Sequence, residues 1–248
     1  MDTTPPRDDA ADGATAAGAA ARLRAALTAT PPSVRLQAAM AAGTHPRTEY
    51  VSVLLERCAI EPDLNVRETL TWALMRHPAS ITVPLLIDEV QSAHAQARSQ
   101  ALHTLSKIGD PQGWAAITPK VLNDADDSVA RTAWRVAAVL VPDGREHELA
   151  RILVAHLGRG DRDAQMSLSR ALITLGDSAS PLLKRIAESG NERARVHAIA
   201  TNLLRDSPTD GFDAAVFDAE LQVMLVDAAA AADEVNGDPG AEPGTDGD

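Results

Sequence analysis

Small and apolar residues recur along this chain with the spacing of an α-helix, and the pattern restarts at regular intervals. The clearest stretch is 97–111, ARSQALHTLSKIGDP, where Ala97, Ala101, Leu102, Leu105 and Ile108 share one helical face. Gly109 follows the last apolar residue, where a left-handed cap ends a helix at low cost. Pro111 stands where the next helix starts, because the first turn does not need its missing N–H. The stretch reads as one helix, a stop and a new start.

Taking Arg98 as the anchor, the pattern small/apolar–Arg–x–x–apolar returns at Val34-Arg35, Val66-Arg67 and Ala194-Arg195. Val129-Ala130 and Ala164-Gln165 keep its apolar part and lose the Arg. The anchors 35, 67, 98, 130, 165 and 195 are 32, 31, 32, 35 and 30 residues apart. Pro46, Pro78, Pro111 and Pro142 are 32, 33 and 31 apart, and each precedes a new apolar stretch. Two markers with one period indicate a repeat of two helices. The expected pairs are 15–28 with 32–43, 47–60 with 64–77, and 80–93 with 95–108, followed by 112–122 with 126–141, 145–157 with 162–175, and 180–189 with 192–205. A hairpin of this size cannot bury its apolar stripe alone, so the pairs must stack. The prediction is an all-α fold, an α-solenoid of six helical hairpins over residues 15–206.

Residues 212–234 also read as a helix. Asp213, Glu220, Asp227 and Glu234 fall every seven residues and form an acidic stripe, with Phe217, Leu221, Met224 and Leu225 mostly off it. A solenoid needs a terminal element with one polar face, so 207–235 is assigned as an acidic capping helix. Residues 1–14 and the Gly/Pro/acid-rich tail 236–248, NGDPGAEPGTDGD, are expected to be disordered.

The second-helix sequences VRLQAAMAAG (34–43), VRETLTWAL (66–74), ARSQALHTLSKIGDP (97–111) and SLSRALITLGD (167–177) resemble HEAT repeats. The likeness is to the short bacterial form also seen in bilin-lyase-like proteins. The tetratricopeptide Trp/Leu-Gly/Tyr pattern and the ankyrin Thr-Pro-Leu-His are absent. The resemblance implies a fold and leaves the activity open.

Composition narrows this further. Aromatics are 2% of the 248 residues, so Ala, Leu, Val and Ile must build the core, which suits close helix packing and not a sheet. The single cysteine, Cys58, excludes an intramolecular disulfide, and the start MDTTPPRDDAADG has no apolar signal region. Both point to the cytoplasm. No run approaches the length of a membrane span, so no membrane partner is expected. The net charge of −12 is uneven. Residues 1–20 carry −3 and 207–248 carry eleven acids and no base, whereas 21–206 hold 22 bases and 20 acids, a net of +2.

Candidate chemistry is sparse. His94/His103 and His147/His156 are each nine apart, which is not ligand spacing, and there is no HExxH; no metal or cofactor is assigned. Asn123–Asp127 looks like half a calcium loop without its Gly and distal Glu, and Asp126 or Asp127 as a helix N-cap explains it better. The anchor arginines are expected to bond the neighbouring repeat, and Cys58 to be a buried inert thiol. No phosphate loop, nucleophile elbow or CxxC occurs, so no catalytic residue is named.

In HEAT-like solenoids the second helices line the concave face. With the core at −1, +3 and +7 from each anchor, +1 and +5 lie opposite on the helical wheel. The +5 row reads Met40, Trp72, His103, Arg135, Arg170, Ala200, and the +1 row Leu36, Glu68, Ser99, Arg131, Met166, Val196. Trp72, His103, Arg131, Arg135 and Arg170 are therefore the candidate partner-binding residues, for an acidic protein or peptide. The leading expectation is a non-enzymatic scaffold. The alternatives are the DNA alkylation-repair glycosylases, also built of HEAT-like repeats, and bilin-lyase-like activity. In the glycosylase reading Trp72, Trp134 and Arg135 stand near the damaged base. That reading lacks an Asp in the same row, and a body of only +2 suits phosphate contacts poorly.

Overall fold

The computed structural model describes residues 9–209 and 211–236. They are helical, with no strand among them, and fall into two compact bodies divided after Arg145. The first holds α1 (Asp9–Leu27), α2 (Pro32–Thr44), α3 (Tyr50–Cys58), α4 (Leu64–Met75), α5 (Ala79–Glu89), α6 (Ala95–Ile108), α7 (Pro119–Leu122) and α8 (Asp127–Leu140). The second holds α9 (Glu146–Leu153), α10 (Arg162–Thr174), α11 (Ser180–Ser189), α12 (Glu192–Asp206) and α13 (Phe212–Asn236). In the first body α2, α4, α6 and α8 lie against one another in succession, and so do α1, α3 and α5. The expected tail 236–248 lies, beyond Asn236, outside the described residues, as do residues 1–8.

Local chemistry explains the helix starts. Four residues before the anchor, Asp63, Asp126, Asp161 and Asn191 each accept a backbone N–H and cap α4, α8, α10 and α12. Gly109 ends α6 in the left-handed conformation at φ +69°, its N–H bonded to the Leu105 carbonyl. Three expected boundaries need correction. The Ala-rich α1 begins at Asp9, ahead of the expected 15, because alanine favours helix. The expected helix 112–122 is a 3-10 turn at Pro111–Ala116 and then α7. Thr118 is extended before Pro119, as the residue preceding proline prefers. The expected helix 145–157 ends as α-helix at Leu153, followed by a 3-10 turn over Val154–His156.

The −1, +3 and +7 positions form the core at the four middle anchors, whereas at the first anchor Val34 is exposed and Ala38 half-buried, and at the last Asn202 is half-buried. Val66, Leu70 and Leu74, then Ala97, Ala101 and Leu105, Val129, Ala133 and Ala137, and Ala164, Leu168 and Leu172 are all buried. Trp134 is fully buried, and its indole N–H donates to the Leu122 carbonyl at 3.0 Å.

The anchor arginines join neighbouring repeats. Arg35 donates from Nη1 to the carbonyls of Ala29 and Thr30, and from Nε and Nη2 to both oxygens of Glu61 at 2.8 Å. Arg98 repeats the arrangement with the Ser92 and Ala93 carbonyls and both oxygens of Asp124. Arg67 keeps the carbonyl half, on Glu61 and Pro62. Glu61 is fully buried and also accepts from Arg57 Nε and the Asp63 N–H. Burial alone would raise its pKa, but the two guanidiniums and the backbone donor outweigh it and hold the carboxyl at about 2. Gln165, standing in the anchor place, donates to the Gly160 carbonyl instead.

Buried hydroxyls form a second set of links. Thr71 meets Thr104 at 3.5 Å in the first body, and Ser169 meets Thr201 at 2.7 Å in the second, at equivalent repeat positions. Beside Ser169 sits His197, 1% exposed. Its Nδ1 accepts from the Gly158 N–H at 2.9 Å, which leaves the proton on Nε2, 3.0 Å from the Gln165 carbonyl and from Ser169 Oγ. Burial lowers its pKa to about 4, only partly opposed by the Gln165 carbonyl.

Two outcomes are expected. Glu61→Ala leaves Arg35 buried without its counter-ion and should cost about 3–5 kcal/mol in urea unfolding. Acid should weaken the two bodies in order. An unfolded histidine takes a proton near pH 6.5 whereas folded His197 resists to about 4, so stability falls with pH through that window by roughly 3 kcal/mol. Buried His156 adds to this loss, and His103 adds a loss of the same direction in the first body. The Glu61 contribution is lost only as pH falls from its unfolded range toward about 2. All three tryptophans precede Arg145. On acidification in mild urea, far-UV ellipticity should therefore fall before tryptophan fluorescence changes.

Candidate functional site

In the first body the +5 row is open to solvent. Met40, Trp72 and Arg135 are exposed, and His103 is half-buried. They sit on α2, α4, α8 and α6, so the row crosses four successive second helices. Trp72 is 40% exposed, which is high for so large a ring. Its seat is Gly43 of α2, where even a Cβ would run into the indole. Glycine is thus required in α2 for close approach, since a larger residue would lift the ring off the helix.

Across from Trp72, Glu68 Oε1 lies 3.5 Å from His103 Nε2. Burial lowers the His103 pKa, and Lys107 and Arg135 push the same way against Glu68. The imidazole is therefore neutral near pH 7, and arginine supplies the positive charge of the row. Arg135 donates from Nη2 to Thr132 Oγ1 at 3.4 Å, and that hydroxyl also meets Ser99 Oγ of α6 at 3.1 Å. Arg131 is half-buried and held by a further polar interaction. It is a flank of the row more than an open contact.

Arg170 belongs to the second body, on α10. Exposed there, it lines an open cleft of 460 Å³ with Met166, Ile173, Leu204, Arg205 and Phe212. Arg205 is tied to Ser180 Oγ and Asp206. The wheel anticipated Met166 and Arg170. It had no means of finding Leu204, Arg205 and Phe212, which come from other helices. The last member of the row, Ala200, is buried against Phe212, Ala215 and Val216 of α13.

Other candidates resolve as structural. Trp134 has no surface for a nucleobase, which removes it from the part given it in the DNA-repair reading. Asp126 caps α8 through Ser128 and Val129, and Asp124 is held by Arg98. The Cys58 thiol is buried, and desolvation pushes its pKa up to about 12. Among the described residues no cluster of three or more His, Cys, Asp or Glu is placed to hold a metal, and no helix is long and apolar enough to cross a membrane.

No family model and no curated protein matches the chain. Among solved structures it is similar to the crystal structure of an engineered protein from the Northeast Structural Genomics Consortium. The identity is 19%, covering 84% of this chain and 97% of that one, with a TM-score of 0.45. A likeness of that size carries no argument about function.

Gly43→Ala tests the seat of Trp72. The variant should lose about 1–3 kcal/mol, as overpacking does, and the emission of the displaced indole should shift. Unchanged stability and emission would mean that Trp72 does not rest on α2.

Proposed function

We propose that this chain is a HEAT-like α-solenoid scaffold whose second-helix row binds an acidic protein or peptide in the cytoplasm. The observation that carries the reading is the exposed +5 row, with Trp72 on α4 and Arg135 two second helices further along, on α8. Rim positions in a helical-repeat protein are ordinarily polar, and an exposed indole in one row with arginine is the composition of a binding hot spot. The anchor arginines support the repeat assignment, because Arg35 and Arg98 each reach an acid 26 residues on, in the next repeat. Arg170 in its own cleft extends the same chemistry into the second body. The glycosylase alternative has lost Trp134, and no residue selects a tetrapyrrole.

The test is selection of short acidic peptides against the full chain, followed by affinity measurements on variants. Trp72→Ala and the pair Arg135→Ser and Arg170→Ser should each weaken the selected peptides by at least about tenfold. The melting temperature of the arginine pair variant should hardly move, since exposed charges contribute little to stability. Affinity for an acidic peptide should rise as pH falls below the ordinary histidine range, where His103, whose pKa burial lowers, gains charge. Equal binding by wild type and variants would remove the row as the site. Tight, steeply salt-dependent retention on duplex DNA would favour the nucleic-acid reading instead.

A further inference from the structure

The last helix departs from what a terminal element should be. α13 rests on α12 through Phe212, Ala215, Val216, Ala219 and Val223. Its opposite face is also apolar. Phe217 is 68% exposed, Leu221 44%, and Met224 and Leu225 are each 59% exposed. The acidic stripe expected to form the polar outer face stays exposed but runs along one edge of the helix, partly paired with the body. Arg162 reaches Asp213 and Glu220, and Arg195 holds Asp227 at 2.7 Å. A helix that is apolar on two opposite faces is normally covered on both, and a cluster of exposed large side chains marks an interaction surface.

The outer face has an order that identifies its occupant. Ala214, Phe217, Leu221, Met224, Ala228 and Ala231 alternate in steps of three and four. This is the seam by which one helix packs along another, as in a coiled coil. Beside the seam run Asp213, Glu220 and Asp227, with Asp218 on the other side. Asp213, Glu220 and Asp227 remain at least half exposed despite their arginines. Over 207–248 there are eleven acids and no base. A second copy would set this acidic segment against itself, and an anionic bilayer would be repelled in the same way.

We infer that the outer face of α13 is a docking site for an amphipathic helix of a partner protein, apolar along a three-four seam and flanked by Lys or Arg. The surface is separate from the second-helix row and does not depend on the function proposed for it.

The probe is a labelled three-heptad synthetic helix with Leu at the seam positions and Lys at the flanks, titrated into the full chain at physiological salt. Two control peptides accompany it, one with Glu at the flanks and one with the Lys peptide's residues scrambled. The Lys helix should bind, and both controls should bind at least about tenfold more weakly. The variant Phe217→Ser with Met224→Gln should lose at least about tenfold in affinity at unchanged melting temperature, because both side chains are largely outside the core. Arg135→Ser should leave this binding as it is, which separates the result from a failure of the row. Equal binding by the variant, or equal binding of the Lys and Glu helices, overturns the proposal. So does sedimentation equilibrium showing a dimer of the chain that dissociates in the variant, since a second copy would then be the occupant.

Discussion

Arg35 and Arg98 each hold two unlike groups at once, the carbonyls of the loop that precedes its own helix and the carboxylate of the following repeat. A guanidinium is suited to this because its five donors lie in a fixed plane and it is always charged. Desolvating it is expensive, and the arrangement is tolerable only because nearly every donor is used. Glu61 is the counterpart. It binds Arg35 and Arg57 with its side chain, caps the Asp63 N–H, and lends its carbonyl to Arg67. One carboxylate thus fixes the junction of three consecutive helices, α2, α3 and α4. The arginine is replaced at anchors 130 and 165, the two positions on either side of the division between the bodies.

Around these junctions the core is made of small aliphatic residues. Alanine at −1 and +3 lets second helices approach closely, and at that separation hydroxyls reach across, as Thr71 and Thr104 do. The His197 cluster is the same device with a ring added. Every polar atom of Ser169, Thr201 and His197 has a partner, so the cluster fixes register without leaving a buried group unsatisfied. Trp134 illustrates the other solution, a large apolar ring whose single donor is matched to one carbonyl.

The surfaces left over divide by chemistry. The row on the second helices is aromatic and basic, with Glu68 and neutral His103 moderating its charge. The outer face of α13 is apolar and rimmed by acid. The two surfaces thus differ in sign as well as in the elements that build them.

Most of the second-helix geometry was legible in the sequence, because it is set by short-range interactions. The 32-residue spacing, the buried −1, +3 and +7 positions and the cap at Gly109 depend on residues within one or two turns. The wheel placed Trp72, Arg135 and Arg170 on an exposed face for the same reason. Helical periodicity says which side chains share a face and nothing about what covers it. Trp134 is apolar on an apolar face and so belongs to the core, whereas Trp72 is held at the rim by a glycine one repeat away. The 3-10 turn at 111–116 follows from Pro119 as much as from its own residues. In α13 the limit is plainest. Its acids and its apolar residues were both read as stripes, yet only the packing of Phe212, Val216, Ala219 and Val223 against the body decided that Phe217 and Met224 face outward, with the acids meeting Arg162 and Arg195 along the edge between the two faces. Which of two apolar faces is buried depends on contacts between side chains of different helices, and those exist only once the helices are assembled.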